Sequence, residues 1–186
     1  DTIEIEKKYG LKDKKIIFHV TPNFNDDPNH IKGGYYVIKL AEMMKSKNVK
    51  FIVAGKYREG LKVPNNIILL GKVNDQTLLA KYYSMADITL LTSRKETFSM
   101  VTAESLSCGT PVVGFKAGAP EQIAFPEYSC FVEYGNIEQL YEAVSNMLNL
   151  EKRVNLEQAK EKYSAETMCR NYINIYNNFS GQRKLE

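Results

Sequence analysis

The sequence predicts an α/β domain: a Rossmann-like, doubly wound parallel sheet of about six strands with helices on both faces. Three observations lead there. Short, nearly continuous apolar runs recur along the chain, among them KIIFHV, VKFIVA, DITLL and PVVGF. Most are followed by a segment whose apolar residues return at helical spacing. The polar and glycine-containing stretches IKGG, GKV, KETFSM and AGAPE all follow strands, where ligands gather in such sheets. Strands that are apolar on both sides need covering layers above and below, which parallel sheets obtain from their crossover helices.

The elements follow in order. Residues 1–14 read as a linker or helical lead-in, and residues 15–20 (KIIFHV) as the first strand. A polar loop, TPNFNDDPNHIKGG, then leads to a helix with Val37, Leu40, Ala41 and Met44 on its inner side. Residues 49–54 and 67–70 are the next strands. Asp75 is placed to cap a helix that carries Leu78, Leu79, Tyr82, Tyr83 and Ala86 on one side. DITLL follows as a strand, then a loop and a helix ending at Gly109, then PVVGF, then a short strand over 129–132. Asn136 with Gln139 resembles a capping box ahead of Ile137, Leu140, Tyr141, Val144 and Leu148. Residues 151–180 are expected to be helices packed on the domain of residues 15–150, with Met168, Tyr172, Ile175 and Phe179 as a stripe. Residues 181–186 read as a tail whose Lys-Leu-Glu resembles a cloning scar, and with Asp1 in first place the chain reads as an excised domain.

Composition removes several classes of function. The chain has 186 residues, 44% of them hydrophobic, enough for a sizeable core. Its net charge is +3 and the lysines alternate with acids, whereas nucleic-acid binding needs a clustered basic face. The apolar runs fall well short of the roughly 20 residues that cross a bilayer. Cys108, Cys130 and Cys169 are odd in number and form no C-x-x-C pattern, which points to reduced thiols and away from a disulfide framework or a zinc site. A cytoplasmic location is expected, with contact at the inner face of an anionic membrane compatible with the charge.

Chemistry concentrates in RKETFSMVTAESLSCGTPVV, residues 94–113. Glu96 and Glu104 are eight positions apart, which on one helix would turn the second roughly 80° away from the first. The pair reads instead as one acid in a loop and one inside the helix that the loop opens. The amides opening that helix, in the turn Phe98–Met100–Val101, have no intrahelical partners and attract an anion such as phosphate. Lys32 before Gly33-Gly34 offers a second anion site, where glycine permits close backbone approach. Glu104 could accept two hydrogen bonds from a vicinal diol such as a ribose, with the small residues Ala103, Ser105, Ser107, Cys108 and Gly109 bringing its helix close to the sheet. The alternatives at this point are a solvated Lys32 and surface glutamates. His19 reads as a packed core residue. There is no G-x-G-x-x-G and no P-loop pattern.

The run S-R-K-E-T-F-S-M-V-T-A-E-S-L-S-C-G-T-P-V-V with the following A-G-A-P-E resembles the signature of the retaining glycosyltransferases of family four, the glycogen-synthase-like group with the two-domain GT-B fold. The GKV turn, the Y-x-x-A-D before DITLL, and Lys32-Gly33 extend the resemblance over roughly residues 15–150. The resemblance implies the C-terminal, donor-binding half of such an enzyme, which transfers a hexose-type sugar from a UDP- or GDP-sugar to an acceptor hydroxyl with retention of configuration. It implies that Glu96 faces the donor sugar and that amides around Phe98 and Ser99, with Met100 and Val101 in the same turn, meet its hydroxyls and phosphates. Glu104 would hold the ribose, the backbone of Lys72 and Val73 the base, Lys32 beside Gly33 the pyrophosphate; Gly118 and Glu121 match the family's G-G-x-x-E element. Glu96 and Lys32 are the expected catalytic residues. No cofactor or metal is required, since no D-x-D element occurs.

The implied partners are a nucleotide sugar, a missing N-terminal acceptor-binding domain, and a glycan or lipid-linked acceptor; the isolated domain is expected to transfer nothing. Two departures stand out. The family's phosphate-binding arginine after the first strand has no match, with Arg58 and Arg94 as substitutes, and Ala117 replaces the first glycine of the Gly-Gly pair. A nucleotide-sugar epimerase of the same fold and a non-catalytic nucleotide- or glycan-binding module are the competing readings.

Overall fold

The computed structural model describes residues 2–150 and 153–182. After a short lead-in helix α1 (Ile3–Tyr9), strands and helices alternate: β1 (Lys15–Phe24), α2 (Gly34–Met43), β2 (Val49–Tyr57), β3 (Ile67–Gly71), α3 (Gln76–Met85), β4 (Ile88–Leu91), α4 (Met100–Ser107) and β5 (Val112–Phe115). Then come α5 (Pro120–Ile123), a 3-10 turn (Pro126–Tyr128), β6 (Ser129–Val132), α6 (Ile137–Leu150), α7 (Leu156–Tyr163) and α8 (Ala165–Gln182). The six strands form one sheet in the order β3-β2-β1-β4-β5-β6, and every neighbouring pair is parallel. Strand order reverses between β1 and β4, which opens a crevice at their carboxyl ends.

Pleating sends alternate residues to opposite faces, and both faces are apolar. Ile17, Phe51, Val53, Ile88, Leu90, Val113 and Phe115 pack with α2 and α6 through Val37, Leu40, Leu140 and Val144. Phe18, Ile52 and Ala54 face the other way, against Tyr82, Tyr83 and Ala86 beside α3. Leu91 and Val112 join Leu106 of α4 and Ala159 of α7 on that second side. The sheet is therefore doubly wound, as the sequence pattern requires. The Asp75 carboxylate accepts the amides of Thr77 and Leu78 and caps α3, and Asn136 Oδ1 accepts the Gln139 amide at 3.0 Å.

Two readings need correction. The first strand does not stop at Val20: it runs to Phe24, pairing with β2 again at Asn23 and Phe24 after a register shift. Pro22 sits inside that shift, where its missing N–H breaks no ladder bond. The helices expected over 151–180 are α7 and α8. Ser164 ends α7 and its Oγ accepts the Thr167 amide at 3.1 Å, starting α8. The expected stripe is not buried: Met168, Tyr172, Ile175 and Phe179 are all exposed, and the first three line a cavity of about 660 Å³ with Phe98, Met100 and Ala103. Among the described residues of the two helices, the buried side chain is Ala159 of α7. Residues 183–186 of the expected tail lie outside the described residues, as do 151 and 152.

Candidate functional site

Helix α4 stands at the centre of the crevice because its underside carries small residues. Ser105 is fully buried; its hydroxyl donates to Thr89 Oγ1 of β4 at 2.7 Å and is also within hydrogen-bond distance of the Thr110 carbonyl at 2.8 Å. Thr110 in turn donates to the Tyr83 carbonyl at 2.6 Å. These hydroxyls fix α4 against the sheet in both height and rotation. Its opening residue, Ser99, holds a left-handed conformation at φ 72, rare for a non-glycine, and its side chain contacts Thr102 Oγ1 at 2.8 Å. Ser99 takes up the Thr102 amide, on its Oγ at 3.4 Å and its carbonyl at 3.1 Å, which leaves the opening amides of Met100 and Val101 without helical partners.

Lys32 and Glu96, distant in sequence, meet here: Lys32 Nζ lies 2.8 Å from Glu96 Oε1, and both side chains are largely shielded. Gly33 makes the meeting possible. It adopts φ 66 as the N-cap of α2, so close to β4 that a Cβ on it would stand 2.1 Å from the Thr92 carbonyl oxygen. Thr92 Oγ1 completes the join by donating to the Lys32 carbonyl at 3.1 Å. The loop carrying Glu96 is tied to the AGAPE loop by a bridge to Gly118 and by the Glu96 amide donating to the Ala117 carbonyl at 2.9 Å.

Three cavities with shared walls follow this geometry. One of about 270 Å³ is lined by Lys32, Glu96, Phe98, Ser99, Met100 and Val101. It shares Val20, Pro22 and Val101 with one of about 430 Å³, where Lys72 and Val73 meet Lys56 and Thr21. That cavity shares Leu79 with a third of about 350 Å³, whose wall includes Glu104 and Tyr83. Glu104 is half-buried, and the Tyr83 hydroxyl donates to its Oε2 at 2.9 Å. The structure thus brings Lys32, Gly33, Glu96, Phe98, Ser99, Met100 and Val101 together, with Lys72, Val73 and Glu104 in the two adjoining hollows.

Gly118 and Glu121 line none of the three cavities, although Gly118 bridges to Glu96. Glu121 turns its carboxylate back on its own loop, accepting the Ala117 and Gly118 amides at 3.1 and 2.9 Å. Burial pulls its pKa upward, but these accepted bonds, with its own amide and Lys116, carry it below the ordinary carboxylate value. Gly118 has φ 102, which suits glycine, while Ala117 is not left-handed and stands there unstrained. Neither substitute arginine lines these cavities: Arg58 pairs with Asp26 at 2.8 Å, and Arg94 lies over the Tyr134 ring.

His19 is buried, as expected. Its Nδ1 lies 2.9 Å from the Leu90 carbonyl, which can only accept, so Nδ1 carries the proton and Nε2 has no partner among the described residues. Burial draws its pKa down to about 4; the Leu90 bond resists and the Lys32 charge adds a smaller pull. Sequence reasoning missed Lys56, because β2 runs three residues past the expected end, and missed the reach of Tyr83 to Glu104. Among the described residues no cluster of three or more His, Cys, Asp or Glu side chains is placed to hold a metal ion, and no helix is long and apolar enough to cross a membrane.

An all-parallel six-stranded sheet flanked by helices, with its crevice at the switch point, defines a Rossmann-like domain of the GT-B glycosyltransferase kind. The chain belongs to the family "Glycosyl transferases group 1", whose model matches residues 1–163. It is 26% identical to N-acetyl-alpha-D-glucosaminyl L-malate synthase of Bacillus anthracis over 95% of this chain and 49% of that protein. A shorter stretch of 43 residues, 23% of this chain and 10% of the relative, is 51% identical to D-inositol 3-phosphate glycosyltransferase of Thermomonospora curvata. Among solved structures, HepE of Anabaena in complex with UDP superposes with a TM-score of 0.74 at 17% identity, covering 94% of this chain and 52% of that one. Sucrose-phosphate synthase of Thermosynechococcus elongatus gives 0.74 at 19%, covering 97% and 49%. At such identities the two structures speak for the fold. The chain spans about half the length of these full-length relatives.

Proposed function

We propose that the chain is the C-terminal, donor-binding half of a retaining glycosyltransferase and takes a nucleoside diphosphate sugar in the crevice. The observation that carries this reading is the convergence of Lys32, Glu96 and the opening amides of α4 on one cavity, with Glu104 deeper in the same helix. Diphosphate oxygens would take the α4 amides and draw Lys32 from Glu96, stabilising the leaving group. Glu96, so released, would face the sugar. Glu104 would accept the ribose hydroxyls, and the Lys72–Val73 turn would meet the base. In the transfer, the bond from the anomeric carbon to diphosphate breaks with its electron pair on the diphosphate, an acceptor hydroxyl oxygen bonds on the same face, and the hydroxyl proton passes to the departing diphosphate.

The chemistry requires neither metal nor cofactor in this reading. The acceptor, a glycan or a lipid-linked hydroxyl, would be held by a second domain, at a cytoplasmic site that includes the inner membrane face. Alone, this chain is expected to bind donor weakly without turnover.

Calorimetric titration of the chain with UDP, GDP and their sugars tests the reading. Replacing Glu104 by alanine should lower nucleotide affinity about tenfold to a hundredfold, the 1.5–3 kcal/mol of a charge-assisted hydrogen-bond pair. Unchanged affinity would remove Glu104 from the ribose. Glu96→Ala should spare the free nucleotide and weaken the sugar-bearing one; equal losses would reject the division of roles.

A further inference from the structure

Tyr83 belongs to the core in every respect but one. Its side chain is 1% exposed, its ring stands edge-on to Phe18 at 5.0 Å, and its carbonyl accepts the Thr110 hydroxyl. A phenylalanine would serve all of this. The hydroxyl, however, points out of the core and donates to Glu104 Oε2. Buried tyrosine hydroxyls need a partner, and a backbone carbonyl or a water would suffice. Here the partner is a carboxylate on the wall of a cavity that Tyr83 also lines.

Tyr83 is the one hydrogen-bond partner of the Glu104 side chain among the described residues. Without it the acid would turn about its side-chain torsions, and a ligand would have to stop that motion on binding. With it, one lone pair of Oε2 is occupied, while Oε1 and the rest of Oε2 remain to accept two neighbouring hydroxyls. We propose that Tyr83 is a positioning residue that sets the Glu104 carboxylate for a vicinal diol, so that the site selects ribonucleotides over 2'-deoxyribonucleotides. The inference rests on the ribose reading of Glu104 given above. Burial and the Glu104 charge push the phenol pKa upward, so Tyr83 stays a donor across the working pH range.

The test titrates the chain with UDP and GDP and with their 2'-deoxy forms. Wild type should prefer the ribonucleotide about tenfold or more, the order of one lost charged hydrogen bond. Tyr83→Phe should weaken the ribonucleotide about threefold to tenfold and the 2'-deoxy form, which keeps one hydroxyl for Glu104, by clearly less, and so shrink the preference. The ring keeps its packing and water can reach the half-buried acid, so melting should move little. In a Glu104→Ala background, Tyr83→Phe should change nothing further. An undiminished preference in Tyr83→Phe, equal losses for both ligands, or a further loss in the double variant overturns the positioning role. Failure of wild type to discriminate ribose from deoxyribose, or to bind either nucleotide, instead overturns the reading of Glu104 on which the role depends.

Discussion

Gly33→Ala is expected to destabilise the chain by about 2–5 kcal/mol and to abolish nucleotide binding. Two effects add. An L-residue held left-handed loses about 1–2 kcal/mol, and Gly33 is held at φ 66. The new methyl would also meet the Thr92 carbonyl oxygen and carbon at 2.1 and 2.9 Å, and Thr92 is fully buried, so backbone must move. Overpacking of that kind costs about 1–3 kcal/mol. For a chain of this size the melting temperature should fall by about 10 °C. Displacing the loop would also carry Lys32 from Glu96. Gly60→Ala is the control: its φ is 75, yet nothing lies within 4 Å of its Cβ position. It should show the conformational cost alone. If the two variants melt together, the close approach of Gly33 to Thr92 is of no consequence.

The second large effect is acid sensitivity from His19. Its folded pKa of about 4 lies below the ordinary 6.5, so between those values the unfolded chain holds more protons than the folded one. Stability is then fully present above pH 6.5 and falls as the pH drops towards 4. That window corresponds to about 3 kcal/mol. His19→Leu removes both the proton uptake and the orphaned Nε2. Urea denaturation at pH 7 and pH 4.5 should therefore show wild type losing about 2–3 kcal/mol more than the variant. Parallel losses would mean that carboxylates, not His19, govern the acid transition.

The sheet was legible because its strands are apolar on both sides and its helices carry regular inner faces. Where reading failed, local signals pointed the wrong way. Thr21-Pro22-Asn23 looks like a loop, yet Thr21 and Phe24 are buried and the strand resumes beyond its bulge. Met168, Tyr172, Ile175 and Phe179 have the spacing of an inner face, but periodicity does not say whether another element covers it. At the site, E-x7-E spacing and the K-G-G run marked which residues to examine. The pairing of Lys32 with Glu96 joins residues 64 apart, and Tyr83 with Glu104 residues 21 apart, so topology alone creates them. Tyr83 was visible only as a core aromatic, since a hydrophobic pattern is silent about where a phenol oxygen points. Glu121 shows the converse, a motif acid that binds the amides of its own loop.

The hydroxyl chain from Thr89 through Ser105 and Thr110 to the Tyr83 carbonyl constrains how this helix can change. An oily underside could slide by a fraction of a turn with little penalty, whereas directional oxygen contacts admit one seating. Mutational freedom along α4 is accordingly confined to the positions off that underside, exposed Met100 and Ser107 and half-buried Val101 and Glu104. Anyone wishing to redesign what the crevice admits has those four handles on the helix itself, and must otherwise work from the surrounding loops.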